Sequence, residues 1–472
     1  MEQDTKEDIL RIFEKQKQRR WEISQSSAPQ RIERLQRLYD NLESRREQLY
    51  TAINNDFHKH RAETELTEMV PTLLEIKHTI KHLSRWMRHE RASTPLVLWG
   101  TKSEIHYEAK GQVLILSPWN YPVMLTLTPL IGAIAAGNVV MLRPSEKTAK
   151  TALFLKELIT STFDESEVAM FVGPTELANV LLDLPFDHIF FTGSPRVGKM
   201  VMEKAAKHLA SVTLELGGKS PTIIDETADV AAAAERVVWG KFINAGQTCI
   251  APDYVFVHQS RVDVFINECK KTLQHFYGAT ESEQKRSQDF ARIIDLAALQ
   301  RLQTTLEQTI AQGARIEAGG AIDVGERYIA PTLLSQVQGT MPIMANEIFG
   351  PILPVMTFNT LDEVTHFISA HDKPLALYFF SKSPANIKQM LSQTSSGGTL
   401  INNTVIHIGN SNLPFGGVGL SGLGNYHGHF GFKTFSHARG VMHQRWPNLL
   451  KFFYPPYSKR TERFLEWVNK VG

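Results

Sequence analysis

The chain has 472 residues, 42% hydrophobic and 21% charged, with a formal net charge of +2; that length supports two or three cores, and basic residues scattered among acids offer no face for nucleic acid, so none is expected as a partner. Two cysteines, Cys249 and Cys269, exclude a disulfide-rich secreted scaffold. The polar, acidic start is not a secretory signal, and the longest nearly apolar stretch, 130–142, is broken by Asn138 and falls short of the ~20 residues of a membrane helix, so a cytoplasmic protein with no integral membrane segment is expected.

Residues 5–55 and 61–90 read as charged amphipathic helices. Ile9, Ile12 and Phe13, then Leu73, Leu74, Ile76 and Ile80, form apolar stripes, and packing is their expected role. Residues 103–110 alternate apolar with polar, as an exposed strand does. From residue 113 the pattern changes. Apolar runs of strand length at 113–117, 139–142, 168–172, 188–191 and 212–216 alternate with helical stretches at 125–136, 148–162, 176–184 and 197–209. Strands buried on both faces and separated by helices predict a parallel sheet, and five of them a dinucleotide-binding domain. After Gly217-Gly218 a second alternation begins (222–224, 230–242, 254–257, 262–276) and runs to about residue 420. The expected fold is α/β with two doubly wound domains, one Rossmann-like and one catalytic, and a cleft between them.

Gly417-Val-Gly419-Leu-Ser-Gly422 has the G-x-G-x-x-G spacing of a phosphate loop. That spacing binds phosphate where a strand precedes and a helix follows; the glycines and histidines at 424–429 make a poor helix, so a loop is expected. Phe191-Thr-Gly193-Ser194-Pro-Arg-Val197-Gly198 is a better candidate, since it leaves an apolar strand and enters a helix. Ser194 is placed to cap that helix, and the free N–H groups of a helix start favour a diphosphate. A plain strand–turn–helix fits the same residues.

A lone cysteine is usually a small buried hydrophobe. Cys269, inside a helical stretch, fits that reading. Cys249 follows Gly246-Gln-Thr on a tight turn and has company elsewhere. Glu215 lies between two leucines at the end of an apolar strand, where an acid is costly to bury. Asn120 lies in Pro118-Trp-Asn-Tyr-Pro, just past the C-terminal end of the first strand, where ligands bind in such sheets. A thiolate to attack a carbonyl, an amide to hold the oxyanion and a carboxylate to activate water form a coherent set. His427 and His429, and His58 and His60, lack the spacing of a zinc site with further ligands, so no metal is expected.

With these residues in place the chain resembles the aldehyde dehydrogenases. The matching motifs run in order: Pro118-Trp-Asn-Tyr-Pro, Arg143-Pro-Ser-Glu, Phe191-Thr-Gly-Ser, Leu214-Glu-Leu-Gly-Gly-Lys, Gly246-Gln-Thr-Cys, Glu347-Ile-Phe-Gly-Pro and Leu413-Pro-Phe-Gly-Gly-Val-Gly. The short N-terminal segment and Tyr426-His-Gly resemble the class 3 branch, which includes fatty aldehyde dehydrogenases. The resemblance implies NAD(P)-dependent oxidation of medium- to long-chain aliphatic or aromatic aldehydes to acids. Cys249 would form a thiohemiacetal and then a thioester. Asn120 and the Cys249 N–H would hold the oxyanion, and Glu215 would activate water. Trp119, Arg143, Glu146, Gly193, Ser194, Val197, Glu347 and Phe349 would bind the cofactor, and Tyr121, Thr248 and Phe415 would line the substrate pocket.

The resemblance also implies a homodimer built on a small β element. The expected division is 1–90 with 111–216 for the nucleotide, 217–420 for catalysis, 91–110 with 421–450 for oligomerisation, and 451–472 as a tail. The family usually has lysine where this chain has Arg143. Arginine grips a 2′-phosphate, whereas Glu146 would repel one, so use of both NAD and NADP is expected. Relatives that pass the acyl group to coenzyme A generally lack the glutamate. Glu215 therefore favours free acid over that alternative, and the three chemical residues together disfavour a non-catalytic protein that kept the fold. The tail, 458–472, reads as a basic amphipathic helix that packs on its own protein, with membrane-surface contact as the other option.

Overall fold

The computed structural model describes residues 4–95, 98–446, 448, 451 and 454–471. The acidic start at 1–3, residues 96–97 and 447, 449 and 450 of the expected β element, and 452, 453 and 472 of the tail lie outside the described residues.

Residues 5–55 form three helices, Lys6–Ser24, Ala28–Ser44 and Arg46–Phe57. The first opens on a reciprocal cap, with the Asp8 N–H donating to Thr5 Oγ1 (3.2 Å) and the Thr5 N–H to Asp8 Oδ2 (3.1 Å). Residues 61–90 are not one helix. Arg61–Thr64 runs into a widened π-turn, Glu65–Met69, and then into Val70–Trp86. Leu74 is 55% exposed and so leaves the expected stripe, while Leu73 and Ile76 are buried.

The first sheet holds the five predicted strands, all parallel, in the spatial order Ser211–Glu215, His188–Thr192, Gln112–Leu116, Val139–Arg143, Val168–Met170. From Gln112–Leu116 the chain winds outward through two strands, then returns to the other side. Ligands bind at the C-terminal ends of strands where such a reversal occurs. There, residues 117–120 follow one strand and Gly193-Ser194 follows the other. Every residue of the helix Met124–Ala136 is buried, and Gly137 ends it in a left-handed conformation (φ 88°).

The second sheet has seven strands in the order Arg315–Ala318, Thr332–Ser335, Ile352–Phe358, Tyr254–His258, Pro221–Ile224, Ala376–Phe380, Gly398–Ile401; all pairs are parallel except the first. A third, antiparallel sheet joins Glu90–Ala92, Thr101–Ala109 and Ser436–Gln444.

The segment 421–450 does not form one element with 91–110. Gly422–Leu423 pairs antiparallel with Ser211–Glu215 and closes the edge of the first sheet. The helix Gly428–Thr434 packs on Met124–Ala136, where a side chain at Gly132 would meet Phe435 and the Gly431 backbone. The 417–422 glycines form a tight turn that leads into that two-residue strand, and the next helix starts only at Gly428, so no helix opens from the turn itself. The tail helix Lys459–Val471 is mostly exposed. Thr461 is buried, but Leu465 and Trp467 face outward, so the expected packing describes one edge of it.

Candidate active site

Helix Val230–Phe242 ends in a tight turn, Ile243–Gly246, where Asn244 and Ala245 are left-handed (φ 51° each) and Gly246 has φ 74°. A side chain at Gly246 would collide with the Gly350 backbone, so this position requires glycine. Left-handed Asn and Ala are strained and need outside support. The Asn244 N–H donates to Glu63 Oε1 (2.7 Å), and its Nδ2 to the Asn120 carbonyl (2.8 Å). The buried Gln247 side chain donates to the carbonyls of Asn244 (2.9 Å) and Arg292 (3.0 Å) and accepts from the Ile294 N–H (2.9 Å). Cys249 follows, half-buried.

Asn120 is 3% exposed, and its Nδ2 donates to the Gln247 carbonyl at 3.1 Å. The amide therefore reaches across the cysteine loop. Tyr121 Oη and Thr248 Oγ1 are 2.6 Å apart. Glu215 is 3% exposed, and neither carboxylate oxygen has a partner.

Cys249, Glu215, Tyr121, Thr248 and Phe415 line one cavity of about 230 Å³. The rest of its wall is largely apolar, with Leu66, Pro71, Met124, Leu125, Trp239 and Ile406. Two further unpartnered hydroxyls belong to lining residues, Thr192 and Tyr426. Burial pushes the Glu215 carboxyl well above its usual range. Burial, with the carboxylates of Glu347 and Glu215, pushes the Cys249 thiol up to about 12. The thiol therefore needs a base or an added positive charge before it can attack.

The expected cofactor residues fall in three places. Ser194 caps the helix Pro195–Ala206, accepting from the Val197 N–H at 3.5 Å. Gly193 lies on that turn, where a side chain would strike the Phe191 ring. Ser194 and Glu347 line a cavity of about 770 Å³ with Gly217, Gly218 and Arg301. The other six candidates do not line it.

Trp119 and Phe349 meet edge to face at 5.3 Å, and Phe349 is strained at φ 48°. Arg143 and Glu146 do not act separately, since Arg143 Nη2 donates to Glu146 Oε2 at 2.6 Å and to the Gly173 carbonyl at 3.3 Å. Two observations fit a nicotinamide dinucleotide. The buried Glu347 Oε1 has no partner. Glycine at 217 leaves room for that carboxylate against the backbone. Burial and Asp253 raise Glu347 to about 8, as expected of a carboxyl waiting for hydroxyl partners.

Sequence reading assigned no role to Lys59, Glu63, Glu68, Gln247, Thr192 or Tyr426. Gln247, two residues before Cys249, and Thr192 and Tyr426 lay within quoted motifs; Lys59, Glu63 and Glu68 carry no local signal. Among the described residues, His89, Glu104 and His106 have donor atoms within 4.8 Å of one another, but Lys102 already pairs with Glu104.

A half-buried thiol and an unpartnered carboxyl share an apolar cavity, and the first sheet has a switch-point crevice, an arrangement that suits a nucleotide-dependent oxidoreductase. Comparison with known proteins agrees. Residues 1–441 match the model of the aldehyde dehydrogenase family. The chain is 44% identical over 428 residues to 4,4'-diaponeurosporen-aldehyde dehydrogenase of Staphylococcus aureus, covering 91% of this chain and 92% of that one. It is 43% identical over 438 residues to human aldehyde dehydrogenase family 3 member B1, covering 92% of each. A substrate-bound structure of Staphylococcus aureus AldH superposes with a TM-score of 0.93 at 41% identity, covering 98% of this chain and 99% of that one. The chain belongs to the aldehyde dehydrogenase family and is an enzyme that oxidises aldehydes with a nicotinamide cofactor.

Proposed function

We propose that Cys249 carries the acyl group and that Glu215 releases it. The observation behind this is the pairing in one apolar cavity of a thiol with a carboxyl whose oxygens are both unpartnered. The thiolate of Cys249 adds to the aldehyde carbon, and the oxygen takes the negative charge. Asn120 Nδ2 and the Cys249 N–H are the donors for that oxygen. The cofactor, when bound, supplies the hydride acceptor. Loss of hydride leaves a thioester on Cys249. Water then attacks the acyl carbon as Glu215 takes its proton, and the thiolate leaves with the carboxylic acid formed. Glu215→Gln tests this, since a burst of NAD(P)H should survive while steady turnover is lost. Normal turnover, or no burst, would count against it.

The largely apolar lining, which includes no lysine or arginine, favours medium- or long-chain aliphatic or aromatic aldehydes. A series of aldehydes of increasing chain length, followed by reduced-cofactor absorbance, tests that. Ser194, Gly193 and Val197 would hold the diphosphate, Glu347 the nicotinamide ribose, and Trp119 and Phe349 the ring's surroundings. Arg143, already neutralised by Glu146, would accept either NAD or NADP at the adenosine ribose. A preference beyond about a thousandfold in kcat/KM, ~4 kcal/mol, would sink dual use.

We read the cofactor unit as 1–90 and 111–216, to which 421–435 is now added, the catalytic unit as 217–420, and 91–110 with 436–450 as the β arm of a homodimer. No helix among the described residues is long and apolar enough to cross a membrane. A cytoplasmic location is our reading of the sparse cysteines.

A further inference from the structure

Residues 59–68 belong to none of the motifs that carry the chemistry, and their sequence reads as plain helix packing. Three of their side chains nevertheless reach the loops that bear Asn120 and Cys249. Lys59 and Glu68 are fully buried. Glu68 Oε2 accepts the N–H groups of Val123 (3.0 Å) and Met124 (2.9 Å). These N–H groups open the helix Met124–Ala136, which has no side-chain cap of its own, so Glu68 supplies the missing partner from another element. Lys59 Nζ lies 3.8 Å from Glu68 Oε1 and has no hydrogen-bond partner. It rests 4.6 Å from the centre of the Tyr121 ring, and the Tyr121 hydroxyl meets Thr248, the residue before Cys249. Glu63 takes the N–H of the strained Asn244.

The π-turn makes the double grip possible. In an α-helix, residues five apart point about 140° away from each other. The wider turn at Glu65–Met69 reduces that angle, so Glu63 and Glu68 can serve neighbouring loops; such turns recur at functional sites. A buried ion pair is a poor source of net stability compared with apolar packing. What this one adds, together with Glu63, is fixed geometry at three backbone N–H groups.

We propose that Lys59, Glu63 and Glu68 are positioning residues that set the oxyanion-donor loop and the nucleophile loop relative to each other. The proposal rests on the roles given above to Asn120 and Cys249. The test uses the full-length enzyme and its variants Glu68→Ala and Glu68→Gln. Rapid-mixing kinetics with a medium-chain aldehyde give the burst rate constant and aldehyde KM, titration gives the Kd for NAD and NADP, and hydrogen exchange follows the peptide 118–127.

Glu68→Ala should slow the burst at least tenfold and speed exchange at Val123 and Met124. Cofactor Kd should stay within twofold. Glu68→Gln, which keeps one acceptor oxygen, should recover part of the burst rate. If Glu68→Ala does not fold, Lys59→Met is the second variant and should slow the burst several-fold. An unchanged burst in the folded variants, or wild-type exchange at 118–127, overturns the proposal. If the wild type itself gives no burst, the covalent reading fails, and the exchange result alone decides the positioning.

Discussion

Two buried carboxyls in this site keep opposite company. Glu68 is fully buried; its Oε2 accepts two backbone N–H groups, and its Oε1, without a hydrogen bond, lies 3.8 Å from the Lys59 ammonium. Glu215 is 3% exposed and spends its oxygens on nothing. Burial raises both, Glu68 to about 7 against the pull of Lys59 and the N–H groups, and Glu215 well above its usual range with no such opposition. The same side chain thus is held as a strut where backbone donors and a cation meet it, and keeps both oxygens unspent where they do not. An unpartnered buried acid costs stability, and a working base needs that unspent capacity.

The sharpest way to break this contrast is at the thiol that both acids are proposed to serve. Cys249→Ala should lower aldehyde oxidation by about 10⁴-fold or more while cofactor binding persists, measured by steady-state kinetics and by titration. Cys269, buried inside a helix, should tolerate alanine with activity retained.

Glu215→Gln should cost about 10²–10⁴ in steady turnover, and it also separates the two acids by their pH behaviour. The folded-state value of Glu215 lies above its unfolded value, so the folded protein holds that proton longer. Stability then falls as pH rises from the unfolded value through the raised one. Melting temperatures from about pH 5 to 9 should decline less in Glu215→Gln than in the wild type. Wild-type turnover should rise over the same range as Glu215 ionises. Parallel melting curves would mean that Glu215 has partners in solution.

Glu68→Ala attacks the strut. It should destabilise the fold by about 1–3 kcal/mol, the cost of stranding buried donors and a buried ammonium, read by denaturant unfolding. A variant as stable as the wild type would place Glu68 with Glu215 rather than opposite it. The smallest effect is expected at the rim. Glu146→Gln leaves Arg143 without its partner and should shift the NADP-to-NAD ratio of kcat/KM by about tenfold toward NADP, ~1.4 kcal/mol.

Much of this was legible in the chain. The alternation of apolar runs with helical stretches predicts the parallel sheet, because period and length are local properties of a segment. Asn120, Gly193 and Ser194 could be singled out as candidates for the same reason, since strand ends and helix starts can be read in sequence. Glu215 stood out as an acid among leucines. The π-turn at 65–69 was not legible, because an amphipathic stripe looks much the same with or without one widened turn.

What the sequence by itself determined is the order of strands and helices, and the presence of a thiol and an amide on loops and of an acid at a strand end. What only the tertiary structure decided is which polar groups have partners. Arg143 and Glu146 were read as rivals and are joined at 2.6 Å. The segment 421–450 was read as one element and is divided between two sheets. Lys59 was merely the residue between two histidines and lies buried beneath Tyr121. Partnership depends on segments far apart in the chain meeting in space, and a local pattern carries no record of those meetings.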